Sequence, residues 1–399
     1  MRHSRAGACA VALALLGATP PARAHRLNDW VEVYGYGQVW WTLWEQMEDA
    51  KGLYQSPSRD EAADAVSGFS IAKARAGLRL TEPSSALSLH TQVALDHAFT
   101  LLDADIGWSP RRWFSIHLGQ FKVPGTSEAL ADDRELDFIL RTEITTTLAD
   151  FSLSKAAHPV SLLYGSVSQL RDLGLALKGE VGNDSVKGRY FLMVGNGLGA
   201  NMFFGGLTRK EYFITNKAQF FYGGRIEAAT RLATLGVFGS ANRHDNIVFN
   251  SGRAVYDINR RSIGGDVRVE IPDTGVRLSA LAGGGQIRDD FDGDGKKDLQ
   301  YRGWAVSGVW DFLPLLGRTS GWRAPDRHAF ELGFRFDRSD QEQNESGNTV
   351  RHDHYTVGMT YNAAGRLKAQ LNYIVRRADD PTVQETANNV LFANLQAAF

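Results

Sequence analysis

The sequence predicts an all-β protein: a transmembrane antiparallel β-barrel of about 16 strands, with long extracellular loops and short periplasmic turns. Three observations carry that expectation. The chain begins with an export signal, continues in period-two segments, and ends on an aromatic residue in mid-strand.

The N-terminus comes first. Arg2, His3 and Arg5 make a basic start, and Gly7 to Ala18 is mostly Ala, Val and Leu, too short to span a bilayer. Ala22-Arg23-Ala24 then has the small-x-small form of a cleavage site. Residues 1–24 are therefore expected to be a signal peptide, leaving 25–399 as one barrel domain. Cys9, the only cysteine, lies inside the signal, so the exported chain is expected to have neither a disulfide nor a thiolate site. Cleavage removes Arg2, Arg5 and Arg23, which gives 44 − 3 = 41 basic residues against 45 acidic ones, a formal charge of −4. No global field favours nucleic acid or an anionic surface, so selectivity must come from the placement of individual charges.

Past residue 24, no apolar run is long enough for a membrane helix. Segments of about ten residues alternate instead. In RHAFELGFRFDR, Phe330, Leu332, Phe334 and Phe336 share one face, with Glu331, Gly333, Arg335 and Asp337 opposite. Tyr355, Val357, Met359 and Tyr361 repeat the pattern, as do Leu367, Ala369, Leu371 and Tyr373, and Val267, Val269 and Ile271. One charged face per strand suits a wet lumen whose outer wall meets lipid.

Strands are expected near 30–44, 68–80, 85–97, 100–108, 112–121, 172–181, 187–195, 217–229, 231–241, 256–271, 275–287, 300–312, 327–338, 350–362, 366–377 and 388–399. Tight links at 81–84, 109–111, 182–184, 272–275 and 363–365 alternate with longer polar ones, the links near 98–100 and 313–326 excepted. Trp40, Trp41, Trp44, Trp304 and Trp310 sit near strand ends, as interfacial girdles require. In the last strand Leu391, Ala393, Leu395, Ala397 and Phe399 form the apolar face. Ending on Phe resembles the terminal signal of bacterial outer-membrane barrels, which implies the barrel-assembly machinery as a partner. Residues 122–171, the longest connection, are expected to fold into the pore and narrow it.

RRWFSIHLGQFKVPGTSEAL, beginning at residue 111, resembles the phosphate-selective porin O/P family of bacterial outer-membrane porins. Gly119-Gln120-Phe121-Lys122-Val123-Pro124, Glu128, FILR at 138–141, RDLGLALKGE at 171–180 and VGNG at 194–197 carry the resemblance. Gly125 departs from it, since members often have Phe after that Pro. The resemblance implies a passive channel for small anions such as phosphate or polyphosphate, and a possible homotrimer.

Anion passage requires lumen cations that act as weak, repeated sites. Lys73, Arg75 and Arg79 share one strand face as an unopposed basic run, and Lys122 is expected to open the long loop. Arg225, Arg260, Arg268, Arg277, Arg335 and Lys368 lie on polar faces of later strands. Asp96, Asp103, Asp105, Asp172, Glu227, Asp266, Glu270, Glu331 and Asp337 face the same way, so many of these charges should pair within the wall. The candidate anion-binding residues are thus Lys73, Arg75, Arg79, Lys122 and Arg225.

Two alternatives stay open. Neither G-x-S-x-G nor H-E-x-x-H occurs, and His352 and His354 form only a lone H-x-H pair, so no enzyme is expected, although a barrel hydrolase would need no short motif. A soluble exported calcium-binding β-protein would explain IRDDFDGDGKKDLQ at 287–300. Asp290, Asp292, Asp294 and Asp298, with the Lys296 carbonyl and the turn at Gly295, could cage calcium. A full EF-hand is excluded because its twelfth position is Tyr301. Calcium in that loop would be a structural staple, and no cofactor is otherwise required.

Overall fold

The computed structural model describes residues 25–44, 68–82, 84–96, 99–149, 170–197, 220–249, 254–287, 299–313, 328–343, 348–363, 365–379 and 389–399. The signal peptide expected at 1–24 and the aspartates between 288 and 298 lie outside them. The strands are β1 (His25–Asn28), β2 (Val31–Trp44), β3 (Gly68–Glu82), β4 (Leu87–Ala94), β5 (Thr100–Arg111) and β6 (Phe114–Lys122). After the longest connection come β7 (Arg171–Gly182), β8 (Val186–Gly195), β9 (Phe221–Thr230), β10 (Ala233–Phe249), β11 (Ala254–Ile271) and β12 (Val276–Ile287). The chain finishes with β13 (Leu299–Asp311), β14 (His328–Gln343), β15 (Asn348–Ala363), β16 (Leu367–Asp379) and β17 (Val390–Ala398).

Strands β2 to β17 pair antiparallel with their sequence neighbours, and β17 pairs with β2 from Val390↔Trp44 to Ala398↔Tyr36. The result is a closed 16-stranded antiparallel barrel. Closure leaves the sheet without an open edge, the condition for a β-structure in hydrocarbon. The terminal residue completes the seam: Phe399 N donates to Gly35 O at 3.0 Å and Gly35 N to Phe399 O at 3.1 Å. A Cβ on Gly35 would lie 2.6 Å from the Phe399 ring, so the ring occupies the space this glycine leaves on the outer wall. β1 continues along the same edge of β2, with His25↔Val33 and Arg26↔Glu32. Its four residues are too few to give a periodic signal, and the sequence did not announce it.

The faces follow the alternation, with one informative break. Gln38↔Lys73 is followed by Val39↔Ile71, so Ala72 is an extra residue in β3. This bulge reverses the parity above it, and Phe69 (82% exposed) and Ile71 face outward while Lys73 faces in. On β13 to β15 two aromatic clusters flank the apolar outer band. Trp304, Phe336 and Tyr355 form one, with ring centroids 4.9 and 4.8 Å apart, and Phe312, Phe330 and Tyr361 the other, at 4.8 and 6.3 Å. Such girdles mark the two membrane interfaces.

Residues 123–149 leave β6 and cross the lumen. They form helix α1 (Ser127–Leu130), a 3-10 turn at Asp133–Glu135 and helix α2 (Glu143–Ala149). Their apolar side chains seat on small wall residues. Cβ atoms on Gly333 and Gly358 would approach the Phe138 ring to 2.9 and 3.3 Å, and the Arg335 guanidinium lies 4.9 Å over that ring. Ile144 sits over Gly303 among Phe238, Leu281, Tyr301 and Ala305, and Ile139 packs with Ile374, Val390 and Phe392. Val123 joins Phe121, Ala176, Met193 and Phe221 at the loop's start.

Phe138→Ala should therefore loosen the loop, at a local cost of about 3 kcal/mol for emptying a buried aromatic seat. We expect faster proteolysis of 123–149 and a larger unit conductance in planar bilayers, with the heat-modifiable gel mobility of the barrel retained. Unchanged conductance would dismiss Phe138 as the loop's anchor.

Candidate functional site: the constricted lumen

β3 presents Lys73, Arg75, Gly77 and Arg79 to the lumen at every second residue. Gly77 is the gap in this ladder, and Tyr34 from β2 fills it: a Cβ there would lie 2.2 Å from the Tyr34 ring. Over that ring stand two guanidiniums, Arg79 from the wall at 4.6 Å and Arg134 from the loop at 5.9 Å. Tyr34 Oη also shares a 2.7 Å hydrogen bond with His90 Nε2. His90 and His117 in turn contact the two oxygens of Asp105, at 3.2 and 3.0 Å.

The basic run is not unopposed. Lys73 Nζ lies 3.4 Å from Asp133 Oδ2, Arg75 is ion-paired with Asp96, and Arg79 stands 3.7 Å from Glu32. The run appeared unopposed because Asp133 is in the loop and carries no strand parity. Asp96 and Glu32 come from the ends of neighbouring strand segments.

Lys122 is the last residue of β6, not the first of the loop, yet its ammonium turns inward and donates to Leu130 O at 3.1 Å and Ala131 O at 2.5 Å. Arg141 clasps the same turn, donating to Glu128 O at 3.1 Å and Ala131 O at 2.9 Å while ion-pairing with Asp133. Arg171, opening β7, binds Asp103 through both carboxylate oxygens at 2.9 and 3.0 Å. Burial pushes the Asp133 carboxyl up, but Lys73, Arg141 and Lys122 outweigh burial and hold it well below the usual carboxylate range.

The opposite wall uses its cations to hold the loop. Arg225 is 3% exposed and binds both Asp266 oxygens at 2.7 and 2.8 Å, Glu227 at 3.0 Å and the loop carbonyl of Gly125 at 3.1 Å. Arg277 bridges Asp137 and Glu331 at 2.8 Å each. Arg335 donates to Leu140 O at 2.7 Å, and Lys368 to Arg134 O at 3.3 Å. Backbone amides of the loop meet wall acceptors: Ser127 N to Asp266, Ile139 N to Asn372 and Glu143 N to Asp337. Arg225, proposed from sequence as a pore residue, is thus a strut between wall and loop.

Among the sequence candidates, the side chains of Lys73 (30%) and Arg79 (44%) keep solvent exposure, while Arg75, at 9%, is largely covered. Sequence reasoning did not name Arg134, Arg141 or Tyr34 as candidates, although ADDRELDFILR carries the first two and its FILR, with Arg141, is among the motifs of the family resemblance. Around the narrowing, Lys73, Arg79 and Arg134 stand beside Asp133, Glu32 and Asp132 at 3.4, 3.7 and 3.4 Å, and Asp105 beside His90 and His117. The H-x-H pair is also placed: His354 Nδ1 lies 3.4 Å from Asp337, and the two His rings are 6.5 Å apart. Among the described residues no three His, Cys, Asp or Glu side chains converge as a metal site.

Asp133→Asn should release Lys73 and Arg141 towards the lumen and raise anion over cation permeability, read as a shifted reversal potential in a salt gradient. In the wild type the depressed Asp133 value lies below its unfolded one. Its hold on the loop is therefore fully present above about pH 4 and is lost only as acid protonates it in the folded protein. Conductance should stay flat from neutrality to about pH 5 if this carboxylate governs the loop.

No curated protein sequence matches the chain. The family model described as phosphate-selective porin O and P matches residues 277–399, downstream of the motifs at 111–197 that first suggested it. Solved structures share the architecture at low identity. The anion-selective porin from Comamonas acidovorans is 11% identical, with 92% of this chain and 99% of that one covered and a TM-score of 0.58. The outer membrane channel DcaP of Acinetobacter baumannii is 10% identical over 95% and 100% of the two chains, at 0.56, and OmpT of Vibrio cholerae 12% identical over 92% and 99%, at 0.55. The chain is a closed 16-stranded β-barrel with the fold of outer-membrane porins, and over residues 277–399 it is similar to the phosphate-selective porin O and P family.

Proposed function

We propose that the barrel is a passive diffusion channel selective for small anions of the phosphate class. The observation that carries this is the pair Arg79 and Arg134 on the face of Tyr34, with Lys73 on the same ladder. Stacking on the ring fixes each guanidinium plane and leaves its N–H edges for an oxyanion. Each of these cations has one partly solvated carboxylate beside it, Asp133, Glu32 and Asp132 at 3.4, 3.7 and 3.4 Å, so a passing anion competes with a single ion pair at each.

Selection at such a site is electrostatic, and release is fast because no cage surrounds the ion. The name of the Comamonas acidovorans porin supports the same sign of selectivity. By the same porin likeness we propose assembly as a homotrimer, and delivery through recognition of the strand ending in Phe399 by the barrel-assembly machinery.

Lys73→Gln, Arg79→Gln and Arg134→Gln combined should move the reversal potential in a salt gradient towards cations and abolish block of chloride current by phosphate. Those three residues contact the loop or wall only at their tips, so the folded barrel should persist. A triple variant with wild-type selectivity, or a wild type preferring cations, would refute the proposal.

A further inference from the structure

The lumen wall holds a titratable cluster that the anion site does not use. His90 on β4, Asp105 on β5 and His117 on β6 come together because the register pairs His90 with Asp105 and Gly107 with His117, one step along the same face. A Cβ on Gly107 would lie 2.8 Å from the His117 ring, so this glycine gives the ring its seat. His90 also stands across from Arg79 of β3, close to the short connection between Glu82 and Leu87. The cluster therefore lies on the periplasmic side of the Arg79–Tyr34–Arg134 site.

Each Asp105 oxygen meets one imidazole, His90 Nδ1 at 3.2 Å and His117 Nδ1 at 3.0 Å. A carboxylate only accepts, so both Nδ1 atoms carry hydrogen and Nε2 is the basic nitrogen of each ring. On His90 that nitrogen accepts from the Tyr34 hydroxyl at 2.7 Å. The side chains of His90 and His117 are 27% and 18% exposed, against 8% for Asp105, so protons from the lumen reach the rings first.

The other charges facing this pair are engaged by partners of opposite sign. Arg79 stands 3.7 Å from Glu32 of β2, and Arg134 of the loop 3.4 Å from Asp132. Asp103 of β5 is held at both oxygens by Arg171 of β7. Lys178 of β7 faces Asp105 with its ammonium 5.0 and 4.6 Å from the ring centres of Phe121 and Phe191. Glu180, next on that face, is engaged by Arg112 and Arg189. Carboxylates, ammoniums and guanidiniums ordinarily keep their charge between about pH 5 and 8, and imidazole does not.

Acid adds a proton at Nε2 of each ring. Both bonds to Asp105 survive, since each Nδ1–H still donates. The bond to Tyr34 reverses, with His90 Nε2 as donor and the phenol oxygen as acceptor. No backbone has to move. A carboxylate between two neutral rings becomes a carboxylate between two imidazolium ions, and the cluster turns from net negative to net positive.

We propose that His90 and His117 form a second site for small anions, charged by protons, which extends the cationic ladder below Arg79 and raises anion preference in acid. The proposal rests on the channel reading, and not on which ion prevails at neutral pH.

The test is the reversal potential of the full barrel in a potassium chloride gradient, with sulfate as blocker because phosphate changes its own charge in this range. At an ionic strength of about 0.1 M, the chloride-to-potassium permeability ratio should rise about threefold from about pH 8 to about pH 5, and sulfate block should strengthen by a similar factor. His90→Gln with His117→Gln should remove most of that rise. Asp105→Asn, with folding checked by heat-modifiable gel mobility, should raise the ratio already at about pH 8 and move the remaining rise to lower pH, because the imidazolium ions lose their counter-charge. Unit conductance in molar salt, where screening acts within about 3 Å, should stay constant, since the loop keeps its place. A wild-type ratio that is flat or falls in acid, a double variant that keeps the rise, or an Asp105→Asn rise displaced to higher pH would each overturn the proposal. The sign of the potential at about pH 8 reads the anion selectivity and its change in acid reads the histidines, so the two fail separately.

Discussion

Everything in this molecule depends on the ladder between β17 and β2. An open sheet of this size would leave two edges of unpaired backbone in hydrocarbon, each group costing several kcal/mol. Closure removes both edges and assigns every side chain to one of two environments. Residues of one parity meet lipid, and those of the other meet the lumen. The final Phe399 belongs to this seam, since its backbone exchanges hydrogen bonds with Gly35 and its ring covers that glycine. The bulge at Ala72 shows how strictly the rule holds, because one extra residue is enough to send Phe69 and Ile71 outward from a strand whose next residues point in.

The second constraint follows from the first. A closed wall that points Arg225, Asp266, Arg335, Asp337 and Lys368 inward must satisfy them there, because a buried unpaired charge costs more than any packing around it returns. The loop 123–149 does this with its backbone. Its carbonyls at Gly125, Leu136 and Leu140 accept from Arg225, Lys368 and Arg335, and its amides at Ser127, Ile139 and Glu143 meet Asp266, Asn372 and Asp337. Most lumen charge is thus structural: it converts an irregular segment into a fixed constriction without asking that segment for a periodic sequence.

This division also explains what the sequence could reveal. Alternation is local, so the sixteen barrel strands, their outward faces and the terminal Phe399 were legible from residues two apart. The lumen faces were legible too, down to Arg225 and Asp266, but not what those residues touch. Arg225 and Lys73 look alike as single cations on polar faces. Only the fold shows that one is sealed between Asp266 and Gly125 while the other keeps solvent beside Asp133. Arg134 and Tyr34 come from segments about a hundred residues apart, and no periodicity links a loop residue to the ring it stacks on. Lys122 defeated strict alternation because its long stem bends from a strand end into the turn that Arg141 also holds.

How tightly the lumen cations are held decides what kind of channel this wall can be. A site built like Arg225, bidentate to one carboxylate and buried, would bind an anion only by displacing Asp266, and would not release it. A lumen with every cation so paired would be blind to sign. The constriction avoids both extremes, because Lys73 and Arg79 each meet a single carboxylate, at 3.4 and 3.7 Å, and both side chains retain solvent. At an effective dielectric of about 20, a single cation at roughly 6 Å attracts an anion by about 3 kcal/mol before screening, desolvation and its own carboxylate partner reduce it. That is enough to bias entry by sign and too little to hold the ion, which is the compromise that diffusion through a pore requires.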